Sequence, residues 1–215
     1  MAAMNKLRIL ITGFGPFPGA PWNPTQPLVE RLVKLRRPAF ADVELSGHIF
    51  PVTYSAVDGQ LSELLVSKRP DALLMFGLAG RTRHVRIETR ARNVISTRWP
   101  AADGSYEDSN VIAKAHDALT FGPHTRMLLR RACMTGIDAR LSRNAGSYLC
   151  NYLSWRGIEA TQQPKGPRAS AFVHVPLVPR PNVYRRMGAR GITLEDLVDA
   201  GEAMLMEMVK AARRG

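Results

Sequence analysis

Leu7-Arg-Ile-Leu-Ile-Thr12 is an apolar run broken by one arginine and ended by Gly13. A short run of this kind, closed by glycine, predicts a buried strand. Residues 13–22 contain Pro16, Pro18 and Pro21 and predict a loop. Asn23-Pro24-Thr25 then predicts a helix start, with Asn23 as the cap and Pro24 at the first helical position. Leu28, Leu32 and Leu35 hold a helical stripe to about Arg37. Strand, loop and helix make one unit, and the rest of the chain repeats the alternation.

Residues 43–52 predict a second strand, 54–67 a helix with Leu61, Leu64 and Leu65 facing in, and 71–76 a third strand. Residues 85–94 alternate. Val85, Ile87, Thr89 and Ala91 fall on one face, and Arg86, Glu88, Arg90 and Arg92 on the other, as in a strand with one polar side. Residues 98–123 hold Pro100, Gly104, Gly122 and Pro123 and predict a long irregular excursion of the kind that often carries function. A helix over 124–134, a short strand over 138–141, a helix over 149–155 and a strand over 169–175 follow. Thr193 opens a last helix with Glu195 and Asp196 in its first turn and Lys210, Arg213 and Arg214 near its end, an order that suits the helix dipole. The alternation predicts one α/β domain over 1–215: an open, twisted, mostly parallel sheet with helices on both faces.

Composition narrows the function classes. No apolar stretch approaches the roughly 18 residues of a membrane span, and the start shows no signal-peptide pattern. Cys133 and Cys150 form neither a disulfide framework nor a metal-ligand spacing, so free thiols in a reducing cytoplasm are expected, with no metal. The net charge of +12 raises nucleic acid or acidic molecules as partners. The arginines are spread along the chain, and no helix-turn-helix, zinc or RNP-like pattern accompanies them, which weighs against nucleic acid.

Four places could carry chemistry. Gly13-Phe-Gly-Pro-Phe-Pro-Gly19 is glycine-rich after a strand, but its spacing matches neither GxGxxG nor a Walker loop, and two prolines remove N–H donors. Phe14 and Phe17 are either walls of a small apolar pocket or plugs of the core. Cys150 lies just after the chain-breaking Gly146, in the first turn of a helix, where the positive helix end stabilises a thiolate. A free cysteine is more often a small buried hydrophobe, and Cys133 has only that role. His174, in Ala171-Phe-Val-His-Val-Pro176, sits near the C-terminal end of an apolar strand, where ligands of open α/β sheets bind. It could equally be a satisfied core histidine. Glu88 is the lone acid of an arginine face: either a surface ion-pair ladder or a carboxylate that orients a histidine. Singly, each bland alternative wins. Together they supply a nucleophile, a base and an orienter, the parts acyl transfer requires.

Five ordered motifs resemble those of the pyroglutamyl peptidase I (pyrrolidone carboxyl peptidase) family. Ile11-Thr-Gly-Phe-Gly-Pro-Phe17 with Asn23-Pro24 is similar to the family's opening motif. Gly77-Leu-Ala-Gly80, Glu88 and Asn93 resemble its glycine-rich and acidic segment, and Arg98 with Pro100 its following Arg and Pro. Asn144-Ala-Gly-Ser-Tyr-Leu-Cys-Asn151 resembles its cysteine motif, and Phe172-Val-His-Val-Pro176 its histidine motif. The chain departs from the pattern at Arg81, where a second glycine is usual, at Ala101 and Ala102, at Leu78, and at Ser147-Tyr148. Arg83, Arg86, Arg90 and Arg92 make the surroundings of Glu88 unusually basic.

The resemblance implies a cysteine peptidase that needs no cofactor and removes N-terminal pyroglutamate from peptides. It implies Cys150 as nucleophile, His174 as general acid–base and Glu88 as its orienter. Phe14 and Phe17 would sandwich the lactam ring, with Val52, Leu78, Trp99, Tyr148 and Leu149 completing the pocket. Arg98 would help the Cys150 N–H hold the oxyanion. A cytoplasmic homo-oligomer is implied as well. A hydrolase of the same fold with a different, acidic, N-blocked substrate is the alternative, prompted by the arginines.

Overall fold

The computed structural model describes residues 6–114, 116–180 and 191–214. Strands β1 (Leu7–Phe14), β2 (Val43–Phe50), β3 (Ala72–Leu78), β4 (Val85–Glu88), β7 (Ala139–Ser142) and β8 (Ala169–Val175) form one sheet, in the order β2-β1-β3-β8-β4-β7. β5 (Arg90–Arg92) and β6 (Ala118–Thr120) form a separate antiparallel pair. The helices are α1 (Thr25–Leu32), α2 (Tyr54–Lys68), α3 (His124–Cys133), α4 (Leu149–Gln162) and α5 (Leu194–Arg214).

Two apolar layers enclose the sheet. One face packs Ile9, Ile11 and Leu74 against α1, α3 and α5 through residues such as Leu28, Leu128 and Leu205. The other packs Leu10, Met75 and Phe172 against α2 and α4 through Val57, Leu153 and Ile158. The expected α/β class, mostly parallel sheet and two-sided helix cover are therefore present. β3 and β8 are buried along nearly their whole length, as strands covered on both faces are.

Three local expectations are corrected. The alternating stretch 85–94 is two strands, interrupted at Thr89. Its first half, β4, runs antiparallel to β8 and parallel to β7, between them. Its polar side meets His174 and the loop after β7, and Glu88 is fully buried, where a solvated face was the simplest expectation. The excursion 98–123 contains β6, which pairs back to β5. Asn23 is not the cap of α1. Pro24 occupies that position, and Asn23 instead accepts from Thr25 N–H at 3.1 Å and donates from Nδ2 to Gly15 O at 3.0 Å. Thr193 does open α5, through reciprocal bonds with Asp196. Among the described residues no helix is long and apolar enough to cross a membrane.

Candidate active site

Adjacent strands bring the imidazole and the carboxylate together. β8 runs antiparallel to β4 with Arg86 opposite His174 and Ile87 opposite Val173. Side chains two residues apart on a strand share a face, so Arg86 and Glu88 lie on the same side as His174. His174 Nδ1 donates to Glu88 Oε1 at 2.8 Å, with both groups buried. The bond commits Nδ1 and leaves Nε2 for a second partner. The Cys150 side chain is the other group that acts on the imidazole, favouring its charged form.

Cys150 comes from the opposite layer. Gly146 takes a left-handed φ of +90°, which only glycine adopts without strain, and turns the loop into α4. Tyr148 is the N-cap, so Cys150 is the second helical residue. Ser96 N–H donates to Ser147 O at 2.6 Å, and Tyr148 hydroxyl donates to Pro100 O at 2.8 Å. Asn151 accepts from Arg92 N–H and donates to Arg92 O and Val94 O. The helix start is thus tied to β5 and to the loop that follows it.

The sulfur rests over Gly77, which pairs in register with His174. A Cβ built on Gly77 would stand 2.7 Å from Cys150 Sγ and 2.6 Å from Phe172 Cζ. No room exists for even a methyl group at this point of β3. Gly77→Ala is expected to lower kcat/KM about 100-fold by displacing the sulfur from the imidazole. It is also expected to destabilise the fold by about 1–3 kcal/mol through overpacking. Steady-state kinetics and thermal melting of the variant check both.

Electrostatics favour a charged pair. Burial by itself would lower the affinity of His174 for its proton. Attraction to Cys150 and Glu88, together with the bond His174 donates to Glu88, outweighs this and raises the imidazole to about 9. Burial would likewise raise Glu88. Its bond and charge interaction with His174, the nearby Ser142 hydroxyl and the Arg86 guanidinium hold it below the usual carboxylate range instead. Glu88 Oε1 accepts from Arg86 Nη2 at 2.7 Å as well as from His174.

The aromatic loop stands beside this centre. Thr25 Oγ1 accepts from Phe14 N–H at 3.0 Å and donates to Phe14 O at 2.8 Å. Phe17 and Ala20 exchange backbone bonds. Phe14, Val52 and Leu149 are buried in the same apolar cluster, and Phe17, Tyr148 and Cys150 pack against it half-buried. Leu78, half-exposed, ends β3 one residue beyond Gly77. Trp99 and Arg98 lie apart from the buried wall: Trp99 is 66% exposed and Arg98 is exposed on the same loop. That loop is held by backbone bonds, from Ala101 N–H to Ser105 O at 2.7 Å and from Ala102 N–H to Val52 O at 2.9 Å. The structure adds Gly77, Asn151 and Arg86 to the residues that shape the site. Gly77 and Asn151 lay inside recognisable motifs, but their packing and bonding roles have no sequence signal of their own.

An open α/β sheet that brings a thiol near a buried imidazole–carboxylate pair is the arrangement of a cysteine hydrolase. The comparisons with known proteins make this specific. The family model for pyroglutamyl peptidase matches residues 7–211. The chain is 30% identical over 174 residues to the pyrrolidone-carboxylate peptidase of Pyrococcus furiosus, covering 80% of this chain and 82% of that one. It is 29% identical over 213 residues to the Thermococcus onnurineus enzyme, covering 95% and 100%. The solved structure of the Thermococcus litoralis pyrrolidone carboxyl peptidase superposes with a TM-score of 0.85 at 26% identity, covering 97% of this chain and 96% of that one. The Fervidobacterium islandicum enzyme superposes at 0.84 with 27% identity, covering 95% and 99%. The chain belongs to the pyroglutamyl peptidase family, a family of cysteine peptidases.

Proposed function

We propose that this chain removes N-terminal pyroglutamate from peptides, with Cys150 as nucleophile, His174 as general acid–base and Glu88 as the group that orients it. The observation that carries the reading is the buried 2.8 Å bond from His174 to Glu88, with the Cys150 sulfur against Gly77, the residue paired in register with His174. An imidazolium beside a sulfur stabilises the thiolate, the nucleophilic form. The thiolate attacks the pyroglutamyl carbonyl, forming the C–S bond and an oxyanion. The Cys150 N–H, in the first turn of α4, is the donor suited to that oxyanion. His174 passes its proton to the departing amine as the C–N bond breaks. Water, deprotonated by the same imidazole, then cleaves the thioester and frees pyroglutamate.

The flat, neutral lactam suits the Phe14 and Phe17 loop, with Val52, Tyr148 and Leu149 behind it. Leu78 borders the ring and Trp99 borders the leaving peptide. Exposed Arg98 would have to swing inward to assist the oxyanion. Both cysteines are free, which fits a cytoplasmic setting. A homo-oligomer is the assembly the family resemblance implies.

Freshly reduced protein is expected to release coumarin from a pyroglutamyl-coumarin amide and to leave acetyl- and prolyl-coumarin amides intact. Iodoacetamide is expected to stop the reaction. Equal cleavage of the acetyl amide, or none of the pyroglutamyl amide, overturns the substrate assignment.

A further inference from the structure

The arginines around Glu88 are engaged with the loop that leads to Cys150. Arg86 Nη2 donates to Ser142 Oγ at 2.9 Å and to Asn144 O, as well as to Glu88 Oε1. Arg90 Nε donates to Arg143 O at 2.9 Å, and Arg92 Nη2 to Gly146 O at 2.9 Å. Thr89 adds its N–H and its hydroxyl, both to Ser142 O, at 2.7 and 2.8 Å. Three guanidinium groups therefore grip the carbonyls of residues 143, 144 and 146, between β7 and the first turn of α4. Loop carbonyls lack ladder partners and must find others; here they find cations from the strand pair that also carries Glu88.

We infer that Arg86 is a positioning residue, fastening the nucleophile's loop to the carboxylate that orients His174, with Arg90 and Arg92 extending the clamp. This rests on the Cys150, His174 and Glu88 roles proposed above. All three acceptors converge on Arg86 Nη2, which shares its two N–H groups among a carboxylate, a hydroxyl and a carbonyl; a lysine ammonium ends about one bond short of that point and keeps the charge without the reach. If the clamp is released, the loop and the sulfur at its end shift relative to an imidazole that stays fixed in the sheet. Displacements of about 1 Å in a reacting geometry cost about 100-fold in rate.

The second effect is electrostatic. Glu88 Oε1 serves Arg86 and His174 together, so the guanidinium weakens the pull of Glu88 on the imidazole proton. The charged or titratable groups around the pair are Glu88 and Arg86 from β4 and Cys150 from α4, with the Ser142 hydroxyl from β7 beside Glu88. Removing the guanidinium leaves the imidazolium more strongly held.

The test compares wild type, Arg86→Met, Arg86→Lys and Arg140→Met. Arg140 is exposed and paired with Asp138, so it controls for loss of one positive charge. Two quantities are followed against pH: kcat/KM on the pyroglutamyl amide, and alkylation of Cys150 by iodoacetamide, read by peptide mass spectrometry so that Cys133 is scored separately. Arg86→Met is expected to lose about 100-fold in kcat/KM, mostly in kcat. Its alkaline limb is expected to move up by about one unit. Arg86→Lys is expected to restore the limb but not the rate, and Arg140→Met to match wild type. A wild-type rate and pH profile in Arg86→Met overturns the inference, and so does an equal loss in Arg140→Met. Should Arg86→Met fail to fold, an unchanged rate in Arg86→Lys overturns it instead. If wild type alkylates at Cys150 but does not cleave the amide, the substrate assignment fails, while the alkylation profiles still decide the role of Arg86.

Discussion

Cys150→Ala is expected to lower kcat/KM on a pyroglutamyl amide by about 10⁴-fold or more, to near the uncatalysed background. The size of the loss follows from the absence of a substitute. Covalent catalysis requires a group that attacks the carbonyl and later leaves it, and the sulfur over Gly77 is the one that interacts with His174. Cys133 cannot replace it. It is exposed at the end of α3, with its thiol directed to Ala139 O at 3.7 Å. The fold should be nearly unaffected, because an alanine still fits the crowded point beside Phe172. Active-site titration and thermal melting separate the two quantities. Measurable turnover in a correctly folded alanine variant removes Cys150 from the mechanism.

Glu88→Gln is expected to be the next most damaging change, costing about 10³–10⁴-fold in kcat/KM, in line with neutralising the acid of a comparable triad. The two side chains have the same shape, so packing is preserved. What changes is charge and proton direction. A carboxamide can offer its N–H₂ to Nδ1 and hold the imidazole in the wrong tautomer. It also no longer supports the proton on His174, so the alkaline limb of activity should fall from about 9 toward or below the ordinary 6.5.

The linkage sign is definite. A group whose folded value is raised contributes stability that is fully present below its unfolded value and is lost as pH climbs through its folded value. Wild type should therefore lose stability between pH 6.5 and about 9, and Glu88→Gln should be flatter over that window. Glu88, held low, contributes in the opposite sense. Its share is present above 4.5 and is lost as the medium becomes more acid. Melting temperatures across pH 4–9 for the two proteins check both signs.

Much of this architecture was legible before any coordinates. β1, β3 and β8 announce themselves as mostly apolar runs, because strands covered on both faces tolerate few polar side chains. The helix start at Cys150 follows from Gly146, and the cap of α5 from Thr193 and Asp196. The stretch 85–94 was harder. Its alternation correctly indicates a polar face, but periodicity is silent on whether helix or water covers that face. Here His174 and the loop after β7 enclose its Glu88 end. The break at Thr89 has no glycine or proline to mark it: Thr89 turns its N–H and hydroxyl to Ser142 O, a partner far off in sequence. The Asn23 expectation failed because Pro24 takes the cap position and the Asn23 side chain bridges Thr25 N–H and Gly15 O. The three chemical groups were recognisable as types at positions. Their alignment was not, because it depends on an antiparallel strand inserted between β8 and β7.

That inserted strand divides the machinery by stiffness. The carboxylate and imidazole ride on neighbouring strands of a single sheet, so thermal breathing carries them together. The sulfur rides on a separate layer, joined through a loop and side-chain bonds, and such regions open at lower free energy than core strands. On the roles proposed for these groups, warming is expected to loosen the approach of the sulfur while the His174–Glu88 bond is still intact, so that activity fades before the sheet melts.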